Sequence, residues 1–266
     1  MGKTMNAWLD STVITSQVFF VRKAPQPLAD SRLVYNGMIP VSEKVALGYR
    51  YYQSPHRDAP VILMFHGNGE IVTDYDTLAP FYHVAGAGLM VVDYRGYGWS
   101  DGVPLVTQML PDALKVVDAL PGILQQHGTF DARLFVKGRS LGSAPAIYAV
   151  QQRPKMFCGL IIESGFSDAP SVFRQLGNSL RPLLSNDDAL PLYNARKLHH
   201  IHTPLLILHG QRDTVVPATH AQDLYNASPS TDKTLTIIEK AGHNDMLIVN
   251  PARYFDAIRQ FLQKHT

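Results

Sequence analysis

The chain has 266 residues, enough for one α/β domain with a small insertion, and its 45% hydrophobic content supports a large core. A charged content of 17% and a net charge of +2 exclude a disordered chain; they also argue against a nucleic-acid partner, since no Lys/Arg block or aromatic-interleaved basic patch occurs. One cysteine, Cys158, excludes an internal disulfide and a Cys-rich zinc site, and its apolar surroundings from Phe157 to Ile162 predict a buried core position.

Residues 1–16 mix Lys3, Asn6 and Asp10 with Ser and Thr and carry no apolar signal-peptide core. No run is long enough for a transmembrane segment. The expectation is a soluble, cytoplasmic protein.

Residues 17–22 and 44–52 predict two strands with no helix between them, hence an antiparallel hairpin leading into a sheet. Six further short apolar runs follow. Val61–Phe65 leads into His66-Gly67-Asn68-Gly69. A helix is predicted over Thr73–Ala85, with Leu78, Phe81, Tyr82 and Ala85 at helical spacing and Gly86 at its end. Leu89–Val92 leads into Asp93-Tyr-Arg-Gly-Tyr-Gly98. Residues 111–126 predict a helix through Leu114, Val117, Leu120 and Leu124, kinked or split at Pro121. Leu134–Val136 leads into Gly138-Arg139-Ser140-Leu141-Gly142, and a small-residue helix over Ser143–Gln152 follows, barred from continuing by Pro154.

Gly159–Ile162 leads into Glu163-Ser-Gly165, Leu205–Leu208 into His209-Gly-Gln-Arg-Asp213, and Thr234–Ile238 toward Gly242-His243. Helices are predicted over Ala218–Ala227 and Pro251–Gln263. The second has Asn250 as its cap and a core stripe of Tyr254, Phe255, Ile258, Phe261 and Leu262. Runs that are apolar on both faces and alternate with helices imply a mostly parallel sheet, here of eight strands, covered by helices on both faces. The whole chain, residues 1–266, reads as a single domain.

The Gly-x-Ser-x-Gly pattern between a strand and a helix marks a nucleophile elbow, a turn tight enough to push the Ser140 hydroxyl out at the sheet edge. Serine needs a base, and the base needs an orienting acid. Asp213 and His243 follow in that order, each just beyond a strand's C-terminal end, where open α/β sheets place their sites. Glu163 ends a neighbouring strand and is the competing acid. Asp245 reads as a local structural charge, and Asp93 and Arg95 as a structural pair or turn contacts. For the oxyanion that forms on attack, the Leu141 amide is one donor. The Asn68 amide, with Gly69 next, is the other. Glycines 67 and 69 leave room for substrate beside that loop.

These segments, in this order, resemble the α/β-hydrolase superfamily and its small-lid serine hydrolases: esterases, lysophospholipases, serine aminopeptidase-like proteins and acyl-protein thioesterases. The resemblance covers roughly residues 45–262. It implies an α/β-hydrolase fold, a Ser140-His243-Asp213 triad, an acyl-enzyme mechanism and no metal or organic cofactor. Serine as nucleophile disfavours dehalogenase or epoxide-hydrolase chemistry.

The resemblance places a short lid at about residues 165–202. Val172, Phe173, Leu176, Leu180, Leu183 and Leu184 lie near one helical face there, which reads as ordinary core, as the lining of an acyl pocket over Ser140 with Phe173 and Leu176 touching substrate, or as a surface for a membrane or partner. Tyr75, Tyr97 and Trp99 are further candidates. The expected substrate is a small-molecule acyl ester or thioester. The alternatives are an aminopeptidase-like amide hydrolase, with Glu163 as the group for a free amine, and a non-catalytic ligand-binding protein.

Overall fold

The computed structural model describes residues 9–27, 32–169, 172 and 193–266. It carries a mostly parallel eight-stranded sheet. By contact density the chain divides into two units, residues 1–135 and 136–266.

In the first unit the strands run in the order β1 (Val34–Ser42), β2 (Val45–Tyr52), β4 (Gly88–Val92), β3 (Val61–Phe65). β1 and β2 form an antiparallel hairpin, β2 pairs antiparallel with β4, and β3 lies parallel to β4. Every side chain of β3 and β4 is buried, and each Val, Leu, Ile or Met so removed from water stabilises the fold by about 1.5–3 kcal/mol.

The predicted hairpin is present, but its first strand lies over residues 34–42 and not 17–22. Asn36, Gly37 and Pro40 mask that strand in the sequence. They are tolerated because β1 is the outermost strand, where a residue without a ladder N–H does least harm. Residues 17–22 instead leave a short helix, α1 (Thr12–Val18), and run extended over a loop: the Gly98 amide donates to the Arg22 carbonyl at 2.8 Å and the Ala24 amide to the Gly98 carbonyl at 3.1 Å.

The helix expected over 73–85 is two pieces, a 3-10 turn at Val72–Tyr75 and α2 (Ala79–Val84). Pro80 has no amide to continue the ladder. Pro121, by contrast, sits inside one unbroken helix, α3 (Met109–Gln126), whose buried face includes Val116, Val117 and Leu120.

A histidine–aspartate pair is enclosed in this unit. His66, after β3, and Asp93, after β4, are fully buried, with Nε2 3.2 Å from Asp93 Oδ1 and Nδ1 2.8 Å from the Gly67 carbonyl. An oxygen acceptor at each ring nitrogen favours the doubly protonated, imidazolium form. Burial opposes that charge, but the hydrogen bond and charge of Asp93 and the Gly67 carbonyl raise His66 above its ordinary value. A raised value in the folded state means that the contribution is complete below about pH 6.5 and is lost as pH rises through the folded value. The urea midpoint should therefore decrease as pH rises above about 6.5, and His66→Gln should remove much of that slope. Equal slopes in the two proteins would show that His66 is neutral.

The second unit orders its strands β5 (Leu134–Arg139, whose first two residues belong to the first unit), β6 (Gly159–Glu163), β7 (Leu205–Gly210) and β8 (Lys233–Ile238), with β6–β7 and β7–β8 parallel. Its helices are α4 (Ser143–Gln152), α5 (Asn194–Leu198), α6 (Thr219–Ala227), α7 (Met246–Val249) and α8 (Pro251–His265). Ala144, Ala146 and Ala149 on α4 are fully buried, as small residues at a close helix–sheet contact should be. Asn250 caps α8 by accepting from the Arg253 amide at 3.0 Å. Of the expected α8 stripe, Tyr254, Ile258, Phe261 and Leu262 are buried and Phe255 is partly exposed. Cys158, expected in the core, is only half-buried.

Candidate active site

β5 ends at Arg139 and the chain turns sharply into α4 through a 3-10 turn, Ser140–Gly142. A Cβ on Gly138 would lie 2.2 Å from the Gly142 carbonyl oxygen, so only glycine lets strand and turn meet this closely. Ser140 takes φ of +50°, a left-handed conformation that costs a non-glycine residue about 1–3 kcal/mol and is retained where the surroundings enforce it. The Ser143 hydroxyl secures the turn by donating to the Ser140 carbonyl at 2.6 Å.

Two loops meet beyond the ends of β7 and β8. A Cβ on Gly210 would lie 2.3 Å from the Gly242 carbonyl oxygen. Glycine at 210 thus allows the loops to abut. Backbone bonds then join them, from the Gln211 amide to the Ile238 carbonyl at 3.0 Å and from the Arg212 amide to the Ala241 carbonyl at 2.7 Å. Asp245 has the local role expected of it, accepting the Gly242 amide at 2.6 Å.

The result is a hydrogen-bonded line of three side chains. Ser140 Oγ lies 3.0 Å from His243 Nε2, and His243 Nδ1 lies 2.7 Å from Asp213 Oδ2. Asp213 is fixed at both oxygens. Oδ1 accepts the Val215 amide at 2.9 Å and the Val216 amide at 2.8 Å, while Oδ2 also faces His209 Nε2 at 3.3 Å. Burial by itself would raise the Asp213 carboxyl; the bonds from His209 and His243, the charge of His243 and the Val216 amide hold it well below the usual carboxylate range. Asp213 is therefore an anion at neutral pH, aimed at the imidazole. Such a line lets a histidine accept a hydroxyl proton while the aspartate stabilises the imidazolium.

His209 was legible only as the end of a strand. Its Nε2 also lies 2.8 Å from the Val216 carbonyl, so that nitrogen carries the proton. The signal in the sequence is its spacing, four residues before Asp213 across the end of β7.

Glu163, the competing acid, is committed elsewhere. It is buried, its carboxylate meets Lys137, Tyr254 Oη at 2.7 Å and Arg139 Nε at 3.2 Å, and no bond joins it to the His243 ring. Burial pushes its carboxyl up, but the charges of Lys137 and Arg139 and bonds from Lys137 and Tyr254 bring it down to about 2.

In the first unit, the Gly67 amide donates to Glu70 Oε2 at 2.7 Å and is used up there. The Asn68 side chain is clamped, accepting from the Phe20 amide and Tyr97 Oη at 2.8 Å each and donating to the Val18 carbonyl at 2.7 Å. Gly69 has φ of +78°, and its carbonyl accepts from Arg22 at 3.0 Å. Tyr97 thus supports the loop through its hydroxyl. Tyr75 bonds Glu70 at 2.9 Å, and the Trp99 indole donates to the Gly37 carbonyl at 3.4 Å. Asp93 and Arg95 do not pair with each other: Asp93 holds His66, and Arg95 grips Asp112 at 2.6 and 2.7 Å. Leu141, in the second unit, is the second residue of the 3-10 turn, where first-turn amides have no intrahelical acceptor. Phe173, Leu176 and most of the expected lid lie outside the described residues. Among the described residues, no group of three His, Cys, Asp or Glu side chains is placed to hold a metal, and no helix is long and apolar enough to cross a membrane.

A mostly parallel sheet with a strained serine between strand and helix, and an aspartate and a histidine on the following loops, defines an α/β hydrolase. Comparison with known proteins narrows that class. Residues 56–186 and 193–247 match the family described as serine aminopeptidase, S33, and the chain belongs to it. An uncharacterized protein of Mycobacterium tuberculosis is 29% identical over 250 residues, covering 92% of this chain and 85% of its own. An uncharacterized membrane protein of Saccharomyces cerevisiae is 32% identical over 189 residues, 68% of this chain and 63% of its own. Among solved structures, a Pyrococcus furiosus esterase superposes with a TM-score of 0.71 at 17% identity, covering 91% of this chain and 99% of that one. A soluble variant of the Saccharomyces cerevisiae monoglyceride lipase, bound to a substrate analogue, gives 0.69 at 18% identity, covering 90% and 97%. At these identities the structural likeness establishes the fold.

Proposed function

We propose that the protein is a serine hydrolase that cleaves small-molecule carboxylic esters or thioesters. The observation that carries this reading is the line Ser140–His243–Asp213, with contacts of 3.0 and 2.7 Å. His243 takes the Ser140 proton as Oγ attacks the acyl carbon. Asp213 holds the imidazole and stabilises its charge. The Leu141 amide receives the oxyanion. His243 returns the proton to the leaving oxygen or sulfur, giving an acyl-enzyme that water hydrolyses by the same route.

The family description raises an amide-cleaving alternative. An aminopeptidase needs an acidic group free to meet a substrate amine, and Glu163, the candidate read from the sequence, is already taken by Lys137, Arg139 and Tyr254. That commitment favours the ester reading, as do the esterase and lipase neighbours. The intact line of three side chains weighs against a non-catalytic binding protein.

A chain-length series of nitrophenyl esters, acyl thioesters and aminoacyl amides tests the proposal, with fluorophosphonate labelling of wild type and Ser140→Ala. Wild type should label and should turn over short to medium esters or thioesters faster than amides. Ser140→Ala should do neither. Turnover that survives Ser140→Ala would reject the nucleophile, and amides preferred over esters would select the peptidase reading.

A further inference from the structure

Arg139 immediately precedes Ser140, and its side chain reaches the loop that carries His243. Its Nη2 donates to the His243 carbonyl at 3.2 Å and to Asn244 Oδ1 at 2.6 Å, while its Nε donates to Glu163 Oε1 at 3.2 Å. Glu163 is held from behind by Lys137 and by Tyr254 of α8, and the Lys137 ammonium also donates to Tyr254 Oη at 2.7 Å. Lys137 and Arg139 lie two apart on β5 and so share one face of the sheet. Lys137 and Glu163 are almost wholly buried, and the Arg139 side chain is 12% exposed. The five donors of a guanidinium are fixed in a plane. One side chain therefore ties the end of β5 to the end of β6 and to the loop after β8.

We infer that Arg139 is a positioning residue for His243, with Glu163 as its buried anchor. The inference rests on the proposed reading of Ser140, His243 and Asp213. Arg139 holds the His243 main chain against the strand that delivers Ser140, so the imidazole keeps both of its contacts while protons move through it. The Ser164 hydroxyl, 3.5 Å from the same carbonyl, adds a second and weaker hold. Arg139 acts through His243, so its loss falls on the chemical step and leaves ester binding in place. A displacement of about 1 Å in a catalytic group costs on the order of 100-fold in rate.

The test compares Arg139→Met, Arg139→Lys and Asn244→Ala with wild type. It uses nitrophenyl ester kinetics, thermal melts and the low-field proton NMR signal of His243 Nδ1–H. Arg139→Met should lower kcat about 100-fold, with KM within about threefold. Its Nδ1–H signal should weaken through faster exchange with water. Arg139→Lys keeps the charge beside Glu163 but offers a point contact in place of a fork, and should recover part of the rate. Asn244→Ala alters an exposed side chain, leaves the fold intact and should lower kcat about tenfold with the same signature; it decides the question if Arg139→Met does not fold. Wild-type kcat and an intact signal in the folded variants, or a loss confined to KM, would overturn the inference. Ser140→Ala runs in parallel. Turnover surviving it defeats the catalytic reading itself, whereas its loss beside unchanged Arg139 and Asn244 variants defeats only the positioning role.

Discussion

Asp213→Asn should leave the protein folded and lower ester turnover by about ten-thousand-fold. The size follows from which atoms are already committed. Asp213 Oδ1 accepts the Val215 and Val216 amides, and only a carbonyl oxygen can take that place. An asparagine must therefore keep its oxygen there and turn its NH2 toward His243 Nδ1. That nitrogen becomes an acceptor, and the ring proton moves to Nε2, where it points at Ser140 Oγ and blocks proton removal. Folding survives because the two loop amides keep their acceptor. Circular dichroism and a thermal melt close to wild type, beside the collapsed kcat, would establish this; turnover within tenfold of wild type would remove Asp213 from the mechanism.

Glu163→Gln should act on the opposite property, lowering stability by about 3–5 kcal/mol, because it strips the counter-charge from a buried ion pair. The Lys137 ammonium, with 1% of its side chain exposed, would keep Tyr254 Oη but lose its carboxylate. A urea titration reads the loss directly, and a midpoint equal to wild type would contradict the ionic reading. The acid side gives an independent check. A carboxylate held down to about 2 in the folded protein contributes stability that is complete above its ordinary value of about 4.3 and disappears as pH falls through the folded one. Wild type should lose stability on acidification over that window more steeply than Glu163→Gln.

The parts of the molecule legible in the sequence were those set by local rules. β3, β4, β6 and β7 carry apolar runs because both sheet faces are covered, and Ser140, Asp213 and His243 each follow the C-terminal end of a strand, β5, β7 and β8 in turn. β1 was hidden because its place at the sheet edge tolerates Pro40 and Gly37, which argue against a strand wherever both neighbours must pair. Pro80 and Pro121 show the limit of a single-residue rule: the first coincides with a break and the second lies within a continuous helix. The polar framework was not legible for another reason. Lys137, Arg139, Glu163 and Tyr254 converge from positions up to 117 residues apart, and no periodicity encodes which charges will meet. His209 stood only four residues from Asp213, yet its contact depends on how the chain turns after β7.

The join between the Asp213 and His243 loops has a consequence for engineering. Gln211, Arg212, Ile238 and Ala241 hold the two loops together through backbone atoms, which every residue other than proline supplies in full. Arg212, Thr214 and Glu239 are exposed, so their side chains are open to randomisation while the main-chain seam stays closed. Gly210 is the exception, because any side chain there would wedge the seam apart. A library that varies those three positions and keeps Gly210 would reshape the rim of the two loops at little expense to the geometry beneath it.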